Sequence, residues 1–354
     1  MRIQKLLFIY YLLPTYALGQ CLTDFTKLVP EPSADYSADF GRSISMHNDF
    51  LAIGVPNSDS IGRITGLVYI YKKVGTEWKK KAAITPAAPL NGLQFGWTVK
   101  LSQDYLFVGA YLQGGSVYVF RKNGADWNNF SQIAIWKIPD ARIFGTSQNN
   151  PIEIAADQNT IAITDIWHTD NTFPSGSTGA IYLYHKNISD EWSHSSTPSI
   201  IPPPEVEVDD FGGGGVLFQG NRMATFTRYA PTGIGQIYIY KDAAGEFDNP
   251  MLEAKLGTTD SFGFSNSNFA FTKDGIFLMA SLDVSTSKPK YEVAFFEQPP
   301  TGIWNDGYMT CHFDPDLDTD TENWEPTVFV SSGDDLIIGS RNYNNKGTLT
   351  HLRK

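Results

Sequence analysis

The sequence predicts an all-β protein assembled from repeated units of about 50 residues. Three observations support this fold class. Phe-Gly pairs recur at residues 40–41, 95–96, 144–145, 211–212 and 262–263. In the clearest copies an apolar run begins 10 to 14 residues after the Phe, and an alternating apolar-aromatic segment follows after a polar loop. Alternation of aromatic and β-branched residues is typical of strands, not of helices.

The strands of each unit can be assigned in order along the chain. The apolar runs predict second strands at 50–56, 105–111, 276–281 and 336–340. The alternating segments, mostly opened by Gly, predict third strands at 66–71, 115–120, 179–184, 235–240, 291–296 and 347–352. A turn, a Trp or Phe and a shorter fourth strand are predicted within 75–86, 125–139, 190–196, 245–256 and 302–313. The chain therefore contains six units, and the sixth has no fourth strand before Lys354.

An unpaired strand is predicted at the other end of the chain, in residues 21–30 (CLTDFTKLVP). If this strand completes the last sheet, it closes a ring and leaves no open sheet edge. Four short strands per unit and a closing N-terminal strand are typical of a β-propeller. We therefore predict one propeller of six blades that occupies residues 20–354.

The sequence also resembles a known family. The string FGRSISMHNDFLAIGVP (40–56), followed by GLVYIYKK and EWKKKAAITP, is similar to the FG-GAP repeats of integrin-α-like β-propellers, especially the calcium-free variety of secreted proteins. The resemblance extends over nearly all of residues 21–354 and is strongest in units one and two. It implies seven blades as the alternative count. Because propellers support unrelated activities, the resemblance predicts the fold more sharply than the function.

Residues 1–19 have the features of an export signal. Arg2 and Lys5 supply the positive start, residues 6–13 form a short apolar run, and Ala17 and Gly19 precede a cut before Gln20. The alternative is that this run is a first core strand. Eight apolar residues are too few to cross a bilayer, which needs about 20 in a helix. We expect a secreted or cell-surface protein without a transmembrane segment.

The charge of the chain restricts its partners. It contains 27 Lys and Arg residues against 38 Asp and Glu residues, for a formal net charge of −11. Such a surface repels phosphate backbones, so nucleic acid is not expected as a partner. An extracellular protein or glycan is the expected ligand.

The two cysteines, Cys21 and Cys311, are near opposite ends of the sequence. An even count in an oxidising compartment predicts one disulfide, here between the outer strands of neighbouring blades. Two alternatives remain, namely two free buried thiols and a Cys21 that bears the lipid of a bacterial lipoprotein.

One acidic stretch has the spacing of a calcium loop, at positions 1, 3, 5, 7, 9 and 12 of that pattern: Asp314, Asp316, Asp318, Asp320, Glu322 and Glu325. Thr319 replaces the sixth-position Gly that permits the sharp turn. The hairpins that hold calcium in integrin-type blades are too short here (MHND, LSQD, FTKD). We expect weak calcium binding at most, with a solvated acidic loop as the alternative, and no other cofactor.

No motif for catalysis is visible. The six histidines are scattered singly, and the sequence contains no GxSxG elbow and no phosphate-binding Gly loop. We therefore expect a non-enzymatic recognition or adhesion module, with a propeller hydrolase or a purely structural extracellular component as alternatives. The long loop of unit three predicts the contact residues: Trp167, His168, Asp170, Asn171 and Phe173.

Two sequons, at Asn129 (NFS) and Asn187 (NIS), lie in or near the turn before a fourth strand. In a eukaryotic secreted protein they would be acceptors for N-glycosylation on the outer rim. In a bacterial protein they would remain bare.

The closing strand leads to a test. We expect residues 22–30 to pair as the outermost strand of the blade that contains residues 336–338 and 349–352. Deletion of residues 20–31 should then lower the stability of the whole protein cooperatively, because it opens a sheet edge. Thermal melting followed by circular dichroism would show this, and a truncated protein that melts like the mature chain would contradict the assignment.

Overall fold

The computed structural model describes residues 38–353 except for residues 76, 112–114, 138–152, 158, 167, 169–177, 188, 190, 194–195, 205–210, 228–234, 258–262, 273, 282–290, 309, 314–323, 333–334 and 343–347. These residues form 24 strands and no α-helix. The strands belong to six sheets, which are antiparallel apart from one short parallel pair. The described residues thus contain no helix that could cross a membrane.

Each sheet takes its strands from one stretch of the chain, and we number the sheets as blades in chain order. Blade one contains β1 (Ile44–His47), β2 (Phe50–Val55), β3 (Leu67–Val74) and β4 (Glu77–Ile84). Blade two contains β5 (Phe95–Ser102), β6 (Tyr105–Ala110), β7 (Ser116–Lys122) and β8 (Phe130–Lys137). Blade three contains β9 (Ile154–Ala156), β10 (Thr160–Asp165), β11 (Ala180–His185) and β12 (Ser199–Ile201).

The second half of the chain continues the pattern. Blade four contains β13 (Val216–Gln219), β14 (Arg222–Thr227), β15 (Gln236–Lys241) and β16 (Met251–Gly257). Blade five contains β17 (Gly263–Phe271), β18 (Gly275–Ser281), β19 (Tyr291–Glu297) and β21 (Cys311–Phe313). Between β19 and β21 the chain forms β20 (Gly307–Tyr308), which pairs with β16 of blade four. Blade six contains β22 (Trp324–Ser332), β23 (Asp335–Asn342) and β24 (Thr348–Arg353).

The blades are arranged around a common axis. The first strands of successive blades contact one another from β1 to β5, β9, β13, β17 and β22. Separate apolar clusters lie between blades one and two, two and three, three and four, and four and five. Face-to-face packing of short radial sheets around inner strands is the arrangement of a β-propeller. The predicted all-β propeller is confirmed, and the count of six blades stays a prediction.

In blades two to five, an aromatic residue before the fourth strand packs between two blades. Trp127, Trp192, Phe247 and Trp304 are all buried, and each packs in the cluster that its blade shares with the preceding one. In blade three, residues around Trp192 pack at this interface without strand pairing, and the fourth strand begins only at Ser199, outside the predicted 190–196.

Blade five differs from the prediction as well. Residues 302–313 were expected to supply one fourth strand, but they supply β20 and β21, of which β20 extends the sheet of blade four. The Asp306 carboxylate accepts a hydrogen bond of 2.8 Å from the Lys255 N–H, and the Gly302 carbonyl accepts one of 2.7 Å from Arg222 Nη2. These bonds hold the segment on the neighbouring blade, where it covers the open edge of β16.

The Phe of the Phe-Gly pair joins two blades. The ring of Phe95 is buried and packs edge-on against Tyr118 of its own third strand, with the ring centroids 5.3 Å apart. Its N–H donates a 2.9 Å hydrogen bond to the Thr65 carbonyl of the preceding blade. In blade four, Phe211 repeats both contacts, with Tyr238 at 5.6 Å and the Thr178 carbonyl at 3.1 Å.

The Gly that precedes the third strand permits this joint. Gly66 has a φ of +80°, and a Cβ at this position would lie 2.1 Å from the Phe95 carbonyl oxygen. Gly179 has a φ of +79°, and its Cβ would lie 2.3 Å from the Phe211 carbonyl oxygen. Only Gly fits a position that is both left-handed and in backbone contact with the next blade.

Several predictions fall outside the described residues, namely the signal segment, Cys21 and the closing strand at 22–30. Cys311 lies on β21, opposite Phe295 of β19. The described part of blade six contains three strands, which is the number that the sequence assigned to it. The disulfide and the closing strand stay predictions.

Replacing Gly66 tests the interblade joint. The variant Gly66→Ala should lower the free energy of unfolding by roughly 3 kcal/mol, because a left-handed Ala costs about 1 to 2 kcal/mol and the clash with Phe95 adds more. Gly124→Ala is the matched control, since Gly124 has a φ of +99° and open space around it. Urea unfolding should show a clearly smaller loss for Gly124→Ala, and equal losses would argue against a tight joint.

Candidate functional site

The structure describes one of the five predicted loop residues. His168 is buried, and its Nδ1 lies 2.9 Å from the Tyr182 hydroxyl. Its carbonyl accepts hydrogen bonds from the N–H groups of Thr178 and Gly179. His168 therefore fastens the base of the loop and offers no exposed imidazole to a ligand. Four predicted contact residues lie outside the described residues: Trp167, Asp170, Asn171 and Phe173.

The predicted calcium loop also lies largely outside the described residues, with Asp314, Asp316, Asp318, Asp320 and Glu322. Glu325 is on β22, opposite Arg341 in the register of β23. In the remaining, described part of the chain, no group of three acidic, His or Cys side chains could hold a metal ion. Calcium binding at 314–325 stays a prediction.

Both sequon asparagines are exposed, as glycosylation would require. Asn129 directly precedes β8, and Asn187 follows β11 by two residues. The side-chain oxygen of Asn187 accepts hydrogen bonds from the N–H groups of Ser189 and Glu191, so the turn is held through the oxygen and not through the amide nitrogen. Glycosylation at both positions stays a prediction.

A group of charged and aromatic residues lies near the axis, and we call it the channel cluster: Arg42, Trp97, Lys100 and Glu153. Arg42 and Trp97 each follow directly after a Phe-Gly pair, in blades one and two. Lys100 lies further along β5, and Glu153 directly precedes β9. Residues in or just before the innermost strands of three successive blades thus form the cluster.

Glu153 occupies a position that is small and neutral in the two preceding blades. Its carbonyl accepts a hydrogen bond from the Thr164 N–H, as the Ser43 carbonyl does from the Gly54 N–H in blade one. The equivalent residue of blade two is Thr98, which lies opposite Gly109. The charged side chain of Glu153 is therefore a departure from the repeat and not part of it.

The aromatic part of the cluster holds Arg42 in place. The Arg42 guanidinium carbon lies 4.2 Å from the centre of the Trp97 ring, which is a cation-π contact. The centroid of the Trp97 ring lies 5.0 Å from the centroid of the Tyr111 ring. Arg42 is exposed and forms no ion pair within the described residues. Its charge is fixed in space but not neutralised.

Glu153 is half-buried and surrounded by protein. Its Cβ and Cγ lie 3.5 Å from the place where a side chain on Gly215 of blade four would begin. Burial raises the pKa of Glu153 to about 7, against the attraction of Arg42 and Lys100, which lowers it. The carboxylate accepts no hydrogen bond from the part of the chain that the structure describes. It therefore changes charge near neutral pH.

Lys100 is the second unpaired cation. It lies opposite Phe107 in the register of β5 and β6, and Phe107 packs between blades two and three, so both side chains are on that face. Burial lowers the pKa of Lys100, and the charge of Glu153 partly restores it. Lys100 also forms no ion pair in the described ranges.

Arg222, a cation that is largely shielded from solvent, has a carboxylate partner. Arg222 and Glu253 form a bidentate pair of 2.5 and 2.8 Å, with relative side-chain exposures of 13% and 9%. The channel cluster lacks such a pair, although it is similarly enclosed at Lys100. Two unpaired cations beside an unpaired carboxyl can hold a ligand that has both an anionic group and hydrogen-bond donors.

Comparisons with known proteins agree with this fold. The profile of the FG-GAP repeat matches residues 78–120, so the chain contains an FG-GAP repeat as predicted. No curated protein sequence matches the chain. Among solved structures, the chain is similar to a candidate 6-phosphogluconolactonase from Bacteroides fragilis, with 13% identity, a TM-score of 0.52 and coverage of 88% of this chain and 83% of that one.

Two further solved structures have lower TM-scores. The acylaminoacyl peptidase of Pyrococcus horikoshii has 9% identity and a TM-score of 0.49, over 87% of this chain and 44% of that one. The β-propeller domain of the Trilobed protease from Pyrococcus furiosus has 9% identity and a TM-score of 0.48, over 88% and 81%. At these identities the likeness shows the fold alone.

The expectation that the chain is not an enzyme is wrong as an exclusion, because the same fold is present in the candidate 6-phosphogluconolactonase. That expectation was based on the lack of catalytic motifs in the sequence. In a propeller, however, site residues converge from different blades, and short motifs cannot reveal them.

The pKa of Glu153 leads to a test by stability. The folded protein holds the proton of Glu153 up to about pH 7, whereas the ordinary value is 4.5, so the free energy of unfolding should fall as the pH rises between these values. Glu153→Gln should remove this loss and exceed the wild-type stability at pH 8 by up to about 3 kcal/mol, with little difference at pH 4.5. Glu297→Gln, at an exposed carboxylate, is the control and should change neither value in urea unfolding.

Proposed function

We propose that the protein is an extracellular recognition module that binds a protein or glycan ligand at the channel cluster. The observation that supports this proposal best is the pair of unpaired cations, Arg42 and Lys100, in a chain with a formal net charge of −11. Lys100 is partly enclosed, and keeping its charge there without a partner is unfavourable for the fold. A ligand that supplies the missing partner gives a physical reason for their presence.

The two ends of the propeller differ in a way that favours binding at the cluster. Consecutive strands of a blade run antiparallel, so the starts of the first strands and the turns after the third strands are at opposite ends. Arg42 and Glu153 precede first strands, whereas Asn129 and Asn187 lie in turns after third strands. Glycans at the sequons would therefore leave the cluster end free.

A second candidate function is a hydrolase that acts on an extracellular substrate. The observation that favours it is Glu153, because a carboxyl with a pKa near 7 can donate and accept a proton at neutral pH. Enclosure by four blades would also keep bulk water away from the reacting group. In this role Glu153 would serve as the general acid or base.

The binding proposal is tested by replacing Arg42. Mature protein on a glycan array, and in pull-downs from its source, should retain a specific ligand, and Arg42→Gln should weaken this binding about tenfold, because a charged hydrogen-bond donor is lost. Arg63→Gln is the matched control, since Arg63 is also exposed but lies outside the cluster. Equal binding by both variants would place the ligand elsewhere.

A panel of glycosides and glycan esters separates the two candidates. A hydrolase should turn over at least one substrate, and Glu153→Gln should lose kcat while it still binds. A recognition module should bind without turnover, with or without this substitution. The third expectation was a purely structural extracellular component. Such a protein would bind no member of the panel, turn none over, and retain nothing in pull-downs.

A further inference from the structure

The channel cluster has a composition that limits its ligand further. We propose that it binds an acidic glycan, whose carboxylate or sulfate group is held by Arg42 and Lys100 and whose adjacent hydroxyl group donates to Glu153. This inference depends on the proposed binding function and names the class of ligand at the same site.

The two cations define the anionic part of the ligand. Arg42 offers its guanidinium above the Trp97 ring, which limits the orientations that the group can take. Lys100 projects from β5 on the face toward blade three. Neither forms an ion pair in the described residues, so neither has to break one before it binds an anion. Charge-assisted hydrogen bonds from such fixed donors are among the strongest in proteins.

Glu153 defines the second part of the ligand. Its carboxylate has no hydrogen-bond donor among the described residues, although Arg42 and Lys100 act on it electrostatically. A simple anion would be repelled by this carboxylate. A sugar acid or sugar sulfate satisfies both requirements, because one ring presents an anionic group and hydroxyl donors within a few ångströms.

Enclosure favours a glycan over an acidic peptide. Glu153 is packed against Gly215 of blade four and is followed directly by β9 of blade three, so backbone of two blades lies close to it. A sugar ring would meet Glu153 with its own hydroxyl groups and brings no peptide backbone. An acidic peptide would bring a backbone whose polar groups need partners.

Protonation of Glu153 should adjust the affinity. Four elements face it: Arg42 before β1, Lys100 on β5, Thr164 on β10 and Gly215 before β13. Of these, only Arg42 and Lys100 are charged. When Glu153 takes up a proton, the cluster changes from a net charge of one positive to two positive. An anionic ligand should therefore bind more tightly as the pH falls through the pKa of Glu153, and a neutral ligand should not.

Calorimetry on the mature protein tests the inference with three hexasaccharides, which bear uronate carboxylates, sulfate groups or no charge, and with poly-L-glutamate. We expect at least one acidic hexasaccharide to bind about tenfold or more tightly than the neutral one, and Lys100→Gln to remove this preference. Lys73→Gln, at an exposed lysine of β3, is the matched control and should leave it intact.

The pH dependence is measured first on the wild-type protein. Wild-type affinity for the acidic hexasaccharide should rise at least about threefold from pH 8 to pH 6, and Glu153→Gln should abolish this rise. Equal binding of the neutral hexasaccharide overturns the acidic preference, and tighter binding of poly-L-glutamate overturns the choice of a glycan. If pull-downs find a ligand but no hexasaccharide binds, this inference fails while the proposed function stands.

Discussion

The contact between a Phe-Gly pair and the Gly before the previous blade's third strand is the constraint on which the propeller depends. It brings two backbones together at Gly66 and Phe95, and again at Gly179 and Phe211, where even a methyl group would not fit. The same Phe anchors its own blade through the third-strand Tyr. One residue therefore fixes the blade internally and sets its distance from its neighbour.

This joint also places the candidate site. The residue after the Phe-Gly pair enters the innermost strand at a fixed point, and in blades one and two that residue is Arg42 or Trp97. The two Phe-Gly pairs have similar backbones, with φ values of +90° at Gly41 and +94° at Gly96, and the Arg42 guanidinium meets the indole ring of Trp97. The cluster is therefore a property of the assembled ring, since no single blade contains both cations and the carboxyl.

Much of the fold could be predicted from the sequence, because its strands bury alternate residues and its turns repeat. The third strands follow from that pattern, and the Phe-Gly pairs that mark the repeat prove to be interblade contacts. The position of β20 could not be predicted, because its place depends on bonds from Arg222 and Lys255 of another blade. Local pattern contains no information about such partners.

The candidate site was missed for a related reason. The predicted contacts came from an unusual loop, 165–178, whereas the charged cluster consists of single residues in or just before ordinary strands. Glu153 has its equivalents in Ser43 and Thr98, three residues after the Phe of blades one and two, but it follows Phe144 by nine residues. Because of that longer spacing, the equivalence of Glu153 with Ser43 and Thr98 is not visible in the sequence. The backbone hydrogen bonds of the three blades reveal the equivalence. In a repeat protein the repeated positions serve packing. A charge that replaces a small neutral residue at the axis is not needed for that packing, so its role is to be sought in function.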